Sequence, residues 1–223
     1  EATRLQRTVA RRMAESKATV PHFYLEAEVE MTAALAARAE LKASAGPEET
    51  VPSLNDMVIR ASALALRQHP KANASYREGS FELHSRINVG VAVAAPGALL
   101  VPTIFDADRK GVSEIAVETR ALSARARDGS ITAPELGGGT FTVSNLGMLG
   151  IANFAPIVNP PQAAILGVGA VAERPVVREG ELAKAALMRV TLSCDHRVLY
   201  GAEGAEFLAT VRQILEQPLR LAG

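Results

Sequence analysis

Cysteine is nearly missing from this chain of 223 residues, where Cys194 stands alone. A single thiol excludes an intrachain disulfide and fits a reducing compartment. Net charge is missing too, with 24 lysines and arginines against 24 acidic residues. No electrostatic excess therefore draws the chain to nucleic acid or to an anionic membrane. No apolar run approaches the roughly 20 residues needed to cross a bilayer, because Arg, Glu or Pro interrupts each one. The first residues carry Arg4, Arg7, Arg11 and Arg12 and lack the apolar core of a signal peptide. These absences point to an intracellular protein with neither a nucleic-acid nor a membrane partner.

Several chemistries lack their residues as well. None of His22, His69, His84 and His196 has a neighbour at a metal-ligand spacing, so no metal site is expected. There is no Gly-x-Ser-x-Gly elbow for a serine nucleophile. Gly137-Gly138-Gly139 is followed by no Gly-Lys-Ser/Thr and is not a phosphate loop. Gly167, Gly169 and Ala172 fit the dinucleotide fingerprint, but Glu173-Arg174-Pro175 is expected to break the chain where the phosphate-binding helix would begin.

What is present suits one core: 48% of the residues are hydrophobic and 22% charged, and no linker or repeat divides the chain. Leu5, Val9 and Met13 recur at helical spacing over residues 3–17, with the arginines on the other faces. That arginine face is either simply solvated or an arm laid on a neighbouring subunit. Residues 22–30 alternate strictly and predict a strand, burying Phe23, Leu25, Ala27 and Val29 and turning its glutamates to water. Residues 32–45 read as an Ala-rich helix. Ser53 and Asp56 form a capping pattern ahead of a helical stripe, Leu54, Met57, Val58, Ala61, Leu64 and Ala65, stopped at Pro70. Residues 80–84 and 87–95 predict a hairpin, and 99–104 a further strand. The small apolar run from Asn88 suits a strand covered on both sides. A helix over 111–128 follows, and then a strand from Thr140 into a tight turn at Gly147. The last strand, about 186–194, leads to a final helix with Ala205, Leu208, Val211 and Leu215 inward. The order of elements predicts a mixed α/β fold with a mixed sheet, not a doubly wound βαβ array.

The chemistry converges on His196, carried at the end of that last strand by Cys194-Asp195-His196-Arg197. A strand end feeding a helix holds a side chain rigidly over a cleft. Taken alone, such a histidine is either a satisfied structural residue or a base. Asp195 cannot couple with it as a neighbour in extended chain, since adjacent side chains point to opposite faces. Cys194 reads as a small buried side chain rather than a nucleophile.

Asp195-His196-Arg197-Val198-Leu199-Tyr200-Gly201 resembles the His-x-x-x-Asp-Gly signature of dihydrolipoamide acyltransferases, the core components of 2-oxoacid dehydrogenase complexes. Further segments resemble the catalytic domain of the same family, in its order and over essentially the whole chain. They are Arg11–Lys17 with Pro21-His22-Phe23, Asn55-Asp56, Asn73-Ala74-Ser75, Leu100-Val101-Pro102, the run from Gly139 to Gly147, and the run from Ile157 to Gln162. The resemblance implies a chloramphenicol-acetyltransferase-like two-layer sandwich, assembled as a homotrimer that builds a larger core. It implies that His196 is the general base for a thiol of coenzyme A or dihydrolipoamide, and that Ser144 stabilises the oxyanion from across a subunit interface. Asn145 and Tyr200 would support them. Tyr200 stands where the signature usually has Asp, whose carboxylate would pair with an N-terminal arginine; Arg4, Arg7 or neither could meet Tyr200 here. Tyrosine, with a pKa near ~10, supplies no carboxylate, which raises the alternative of a catalytically weak scaffold.

Ser144-Asn145-Leu146-Gly147 resembles the acetyl- and branched-chain-transferring members more than the succinyl-transferring ones, which tend to carry a second Gly in place of Leu146, and acetyl is the expected acyl group. Coenzyme A is then a substrate. No Asp-Lys-Ala hairpin is present, so residues 1–223 are expected to be one catalytic domain, with lipoate and peripheral-subunit binding on separate domains. The implied partners are lipoyl domains and the decarboxylase and dihydrolipoamide dehydrogenase components. The implied location is the bacterial cytoplasm, or the mitochondrial matrix or plastid stroma of a eukaryote.

Overall fold

The computed structural model describes residues 1–222. Helix α1 (Arg4–Thr19) leads into strand β1 (His22–Glu30), and helices α2 (Thr32–Ser44) and α3 (Leu54–Gln68) follow. Short strands β2 (Ala74–Arg77), β3 (Ser80–Leu83), β4 (Val89–Val91), β5 (Val93–Ala95), β6 (Ala98–Leu100) and β7 (Thr103–Ile104) precede helix α4 (Val112–Asp128). The chain then forms β8 (Phe141–Asn145), the long hairpin β9 (Ala164–Arg178) and β10 (Glu181–Asp195), and helix α5 (Gly201–Glu216). One six-stranded sheet has the order β1-β10-β9-β8-β4-β7, antiparallel except for the parallel pairs β9–β8 and β8–β4. This is the expected mixed α/β sandwich.

Helix α3 is the centre of the helical layer. Ser53 and Asp56 close a reciprocal capping box at its start, each backbone N–H bonding to the other's side chain. Burial extends well beyond the expected stripe: Ile59, Ala63 and Leu66 are enclosed along with Met57, Val58, Ala61 and Ala65. The buried Arg60 is kept there by its bond to the Asp108 carbonyl at 2.9 Å, and burial lowers its pKa. Phe207 of α5 meets Phe141 of β8 edge-on at 5.5 Å, joining the helix layer to the sheet.

Four expectations need correction, the first being a single strand over 99–104, which divides into β6, paired with β5, and β7, paired with β4. Residues 80–84 do not pair with 87–95: β3 pairs with β2, and 87–95 splits between β4 in the main sheet and β5, which pairs with β6. The chain does not break at Pro175, which sits inside β9 opposite Lys184. Beyond Val168 strand β9 has left β8 behind, so a missing N–H on that free side leaves no partner unsatisfied. On α5 it is Gly204, not Ala205, that faces the sheet; a Cβ there would lie 2.8 Å from Leu25 Cδ1.

The dinucleotide-like glycines have a packing role. The segment after β8 runs back over β9, with Ala170 N–H bonded to the Ile151 carbonyl at 2.8 Å. A Cβ on Gly169 would stand 2.1 Å from the Ala152 carbonyl oxygen, and one on Gly167 2.8 Å from Pro156 Cδ. Backbone cannot yield as a flexible side chain can. Gly169→Ala is expected to cost about 2–3 kcal/mol and to lower the thermal midpoint by roughly 5–10 °C. Calorimetry of parent and variant measures it; an unchanged midpoint would mean that this packing is loose.

Candidate active site

His196 follows β10 directly. The strand stops because the Asp195 carbonyl accepts from both Val198 and Leu199 N–H, at 3.0 Å each, which turns the chain. The buried Asp195 carboxylate accepts from Arg197 N–H at 3.0 Å, Nε at 2.9 Å and Nη2 at 2.7 Å. Asp195 thus braces the turn instead of touching the imidazole. The Arg197 guanidinium in turn lies 4.1 Å over the Tyr76 ring. Backbone fixes the other side of the turn, where His196 N–H donates to the Pro21 carbonyl at 3.0 Å.

The four histidines differ in their partners. His22 is fully used: Nδ1 donates to the Val20 carbonyl at 2.8 Å, and Nε2 accepts Val158 N–H at 3.0 Å. His69 Nε2 meets Thr210 Oγ1, and His84 Nε2 meets Ser75 Oγ, each at 2.8 Å. The exposed His196 ring has no hydrogen bond among the described residues. Its neighbours are aromatic, Phe23 at 4.6 Å and Tyr200 at 5.7 Å between ring centroids. This imidazole is therefore open to a proton donor from outside the chain.

Cys194 is fully buried at the end of β10. Burial first, and the charge of Asp195 second, push its thiol up to about 12. A thiol so rarely ionised is no nucleophile. The folded protein should react with iodoacetamide at least ~100-fold more slowly than the unfolded chain, as read by mass spectrometry of Cys194. Comparable rates would contradict this burial.

Ser144 lies near the end of β8, half-buried, on the face that Thr142 also occupies. Asn145 anchors the strand's exit with both ends of its amide. Its Nδ2 donates to Asn55 Oδ1 at 3.0 Å, and its Oδ1 accepts Gly147 N–H at 2.8 Å. The tight turn after it leaves Met148 and Leu149 largely exposed.

One chain does not bring Ser144 and His196 together. Ser144 is level with Gly167 on β9, and Gly167 with Thr191 on β10. His196 lies five residues further along the chain, just past the end of β10 and two strands away. At ~3.3 Å per residue and ~4.8 Å per strand, the two side chains start on the order of 15–20 Å apart. Neither Arg4 nor Arg7 meets Tyr200: Arg7 Nη1 donates to the Ala2 carbonyl at 2.6 Å. The cation beside Tyr200 is Lys71, with Nζ 5.8 Å from the ring centroid and 2.5 Å from Glu203 Oε1. Sequence reasoning missed Phe23 and Lys71 because no motif links positions so far apart in the chain, and it missed Glu203 although its place three residues after Tyr200 marks a helix start.

The profile of the 2-oxoacid dehydrogenases acyltransferase (catalytic domain) family matches residues 1–222. The chain belongs to that family. It is 45% identical over 219 residues to the dihydrolipoyllysine-residue acetyltransferase component of the pyruvate dehydrogenase complex of Rhizobium meliloti (strain 1021). That match covers 96% of this chain and 49% of the relative, so the chain spans about half the length of that component. Among solved structures, the dihydrolipoamide acetyltransferase of Azotobacter vinelandii superposes with a TM-score of 0.95 at 30% identity, covering 99% of this chain and 92% of that one. A chloramphenicol acetyltransferase superposes at 0.59 with 15% identity, covering 92% and 94% of the two chains, and shares the fold alone. The expected chloramphenicol-acetyltransferase-like fold is therefore the fold of this member of the acyltransferase family.

Proposed function

We propose that residues 1–223 form the catalytic domain of a dihydrolipoamide acetyltransferase, moving an acetyl group between a lipoyl dithiol and coenzyme A. The observation that carries this is the solvent-open, unbonded imidazole of His196 in a chain matched throughout by acetyltransferase components of pyruvate dehydrogenase complexes.

His196 takes the proton of the attacking thiol. At an ordinary pKa of ~8.5 that thiol is mostly protonated near neutrality and needs a base. The sulfur then adds to the thioester carbonyl carbon, and the C=O electron pair moves to oxygen. Ser144 Oγ donates to this oxyanion. Collapse of the intermediate expels the second thiolate, which recovers the proton from the imidazolium. No acyl-enzyme is required, in keeping with the buried, un-ionised Cys194.

The distance between Ser144 and His196 in one chain favours a site shared between copies, as in a homotrimer, with Asn145 positioning Ser144. In the Azotobacter vinelandii enzyme a serine, a histidine and an asparagine have been investigated for roles in catalysis. The intervals between those three residues equal the intervals between Ser144, His196 and Tyr200, which supports this reading. The same reading makes the domain a unit of a larger core. It would serve lipoyl domains carrying lipoate and the decarboxylase and dihydrolipoamide dehydrogenase components, in the cytoplasm if the source is bacterial.

The test is a direct assay. Purified protein is incubated with dihydrolipoamide and acetyl-, isobutyryl- or succinyl-coenzyme A, and S-acyl-dihydrolipoamide is followed. Turnover greatest with acetyl supports the proposal. Greatest turnover with another donor corrects the acyl group. No turnover with any donor, in an assembled protein, leaves the scaffold reading that Tyr200 motivates.

A further inference from the structure

Tyr200 is the point at which this chain departs from the signature it otherwise carries, and the structure shows what surrounds it. A carboxylate four residues after the histidine would hold charge near the site; a tyrosine brings a ring. The centroids of His196 and Tyr200 are 5.7 Å apart with planes inclined at 60°, and those of His196 and Phe23 are 4.6 Å apart at 58°. Both are tilted arrangements within the range where aromatic pairs attract. Phe23 comes from β1 and Tyr200 from the start of α5, so the imidazole has an aromatic neighbour from each of two separate elements.

The tyrosine is itself held. Its backbone N–H donates to Glu203 Oε2 at 3.3 Å, and Glu203 Oε1 accepts Lys71 Nζ at 2.5 Å. That ammonium also lies 5.8 Å from the Tyr200 ring centroid, within cation–π reach. The Tyr200 ring thus has the ammonium at 5.8 Å and the imidazole at 5.7 Å from its centroid. Lys71 lies in the short helical turn after α3, and Glu203 in the first turn of α5. The anchor therefore joins two parts of the helical layer.

We propose that Tyr200 is a positioning residue for His196 that acts through its ring: Phe23 and Tyr200 clamp the imidazole, and the Lys71–Glu203 pair holds the clamp shut. The proposal rests on His196 being the base of the acyl transfer. It assigns orientation to aromatic packing in place of a charged partner, and it makes the phenol hydroxyl dispensable. A base misplaced by even ~1 Å loses up to ~100-fold in rate, so a loosened imidazole should show in kcat. The Tyr200 side chain is 50% exposed, and its cap on α5 is made by backbone N–H. Truncating it therefore spares the fold.

The experiment compares parent, Tyr200→Ala and Tyr200→Phe in the full assembled protein. With acetyl-coenzyme A and dihydrolipoamide, Tyr200→Ala should lose about tenfold in kcat with KM changed less than about threefold. Tyr200→Phe should recover kcat to within about twofold of the parent. A second reading needs no turnover: carbethoxylation of His196 by diethyl pyrocarbonate, followed by mass spectrometry, with His22, His69 and His84 as internal references. His196 should react several-fold faster in Tyr200→Ala than in parent or Tyr200→Phe, because the freed ring is more accessible. Equal kinetics and equal modification rates in all three proteins would overturn the clamp. So would a Tyr200→Phe variant as impaired as Tyr200→Ala, since the hydroxyl would then be the working group. A parent without turnover whose His196 still shows the expected order of modification keeps the clamp and removes the acyltransferase reading instead.

Discussion

His196→Ala is expected to lower kcat for acetyl transfer by roughly 10²–10⁴-fold, the range for loss of a positioned general base. KM for either thiol substrate should change far less, because a general base, the role proposed for His196, acts on a proton in flight and not on a binding contact. The fold should survive, since the His196 side chain is exposed and its ring has no hydrogen bond among the described residues. Its backbone bond to Pro21, which any residue can make, remains. Steady-state rates on matched, correctly assembled preparations measure the effect. A variant within threefold of the parent would remove His196 from the chemistry and move attention to the remaining, hydrogen-bonded histidines.

The second large effect concerns Ser144. Ser144→Ala should cost ~10²–10³-fold in kcat, about 3 kcal/mol, the usual range for one oxyanion donor. The more telling experiment combines the two variants. Neither Ser144→Ala nor His196→Ala oligomers should turn over appreciably by themselves. Oligomers formed by unfolding and refolding an equal mixture should recover up to about a quarter of parent activity, because random assembly gives that share of interfaces both intact groups. A site contained in one chain would recover nothing. The separation of the two side chains along and across the sheet leads us to expect recovery.

Much of this was legible in the sequence, for reasons that differ between segments. The sequence of β1 alternates without exception, so its inward face followed from period alone, with Val29 buried and Phe23, Leu25 and Ala27 half-buried. Helix α3 announced its first turn by Ser53 and Asp56. The pairing of β3 was not legible: alternation says that a segment is extended but not which segment lies beside it, and β2 is too short to stand out. Pro175 misled because its cost depends on whether the neighbouring strand reaches that far, a fact of the assembled sheet. Gly204 was missed because a glycine adds nothing to an apolar stripe, yet its lack of a side chain lets α5 approach Leu25. Within the proposed site, His196 and Ser144 are singled out by motif resemblance alone. The Phe23–Tyr200 bracket and the Lys71–Glu203 anchor became visible only once three distant segments were folded together.

The placement of Ser144 and His196 at different levels of one sheet has a further consequence for the life of the chain. A newly made copy carries both chemical groups and no place where they meet. If the site is shared between copies, such a chain can fold fully and still leave the thioester pool untouched. Activity then begins with association, so specific activity should rise with protein concentration through the range where copies combine. Orphan chains would be silent instead of acting on acyl thioesters away from their complex.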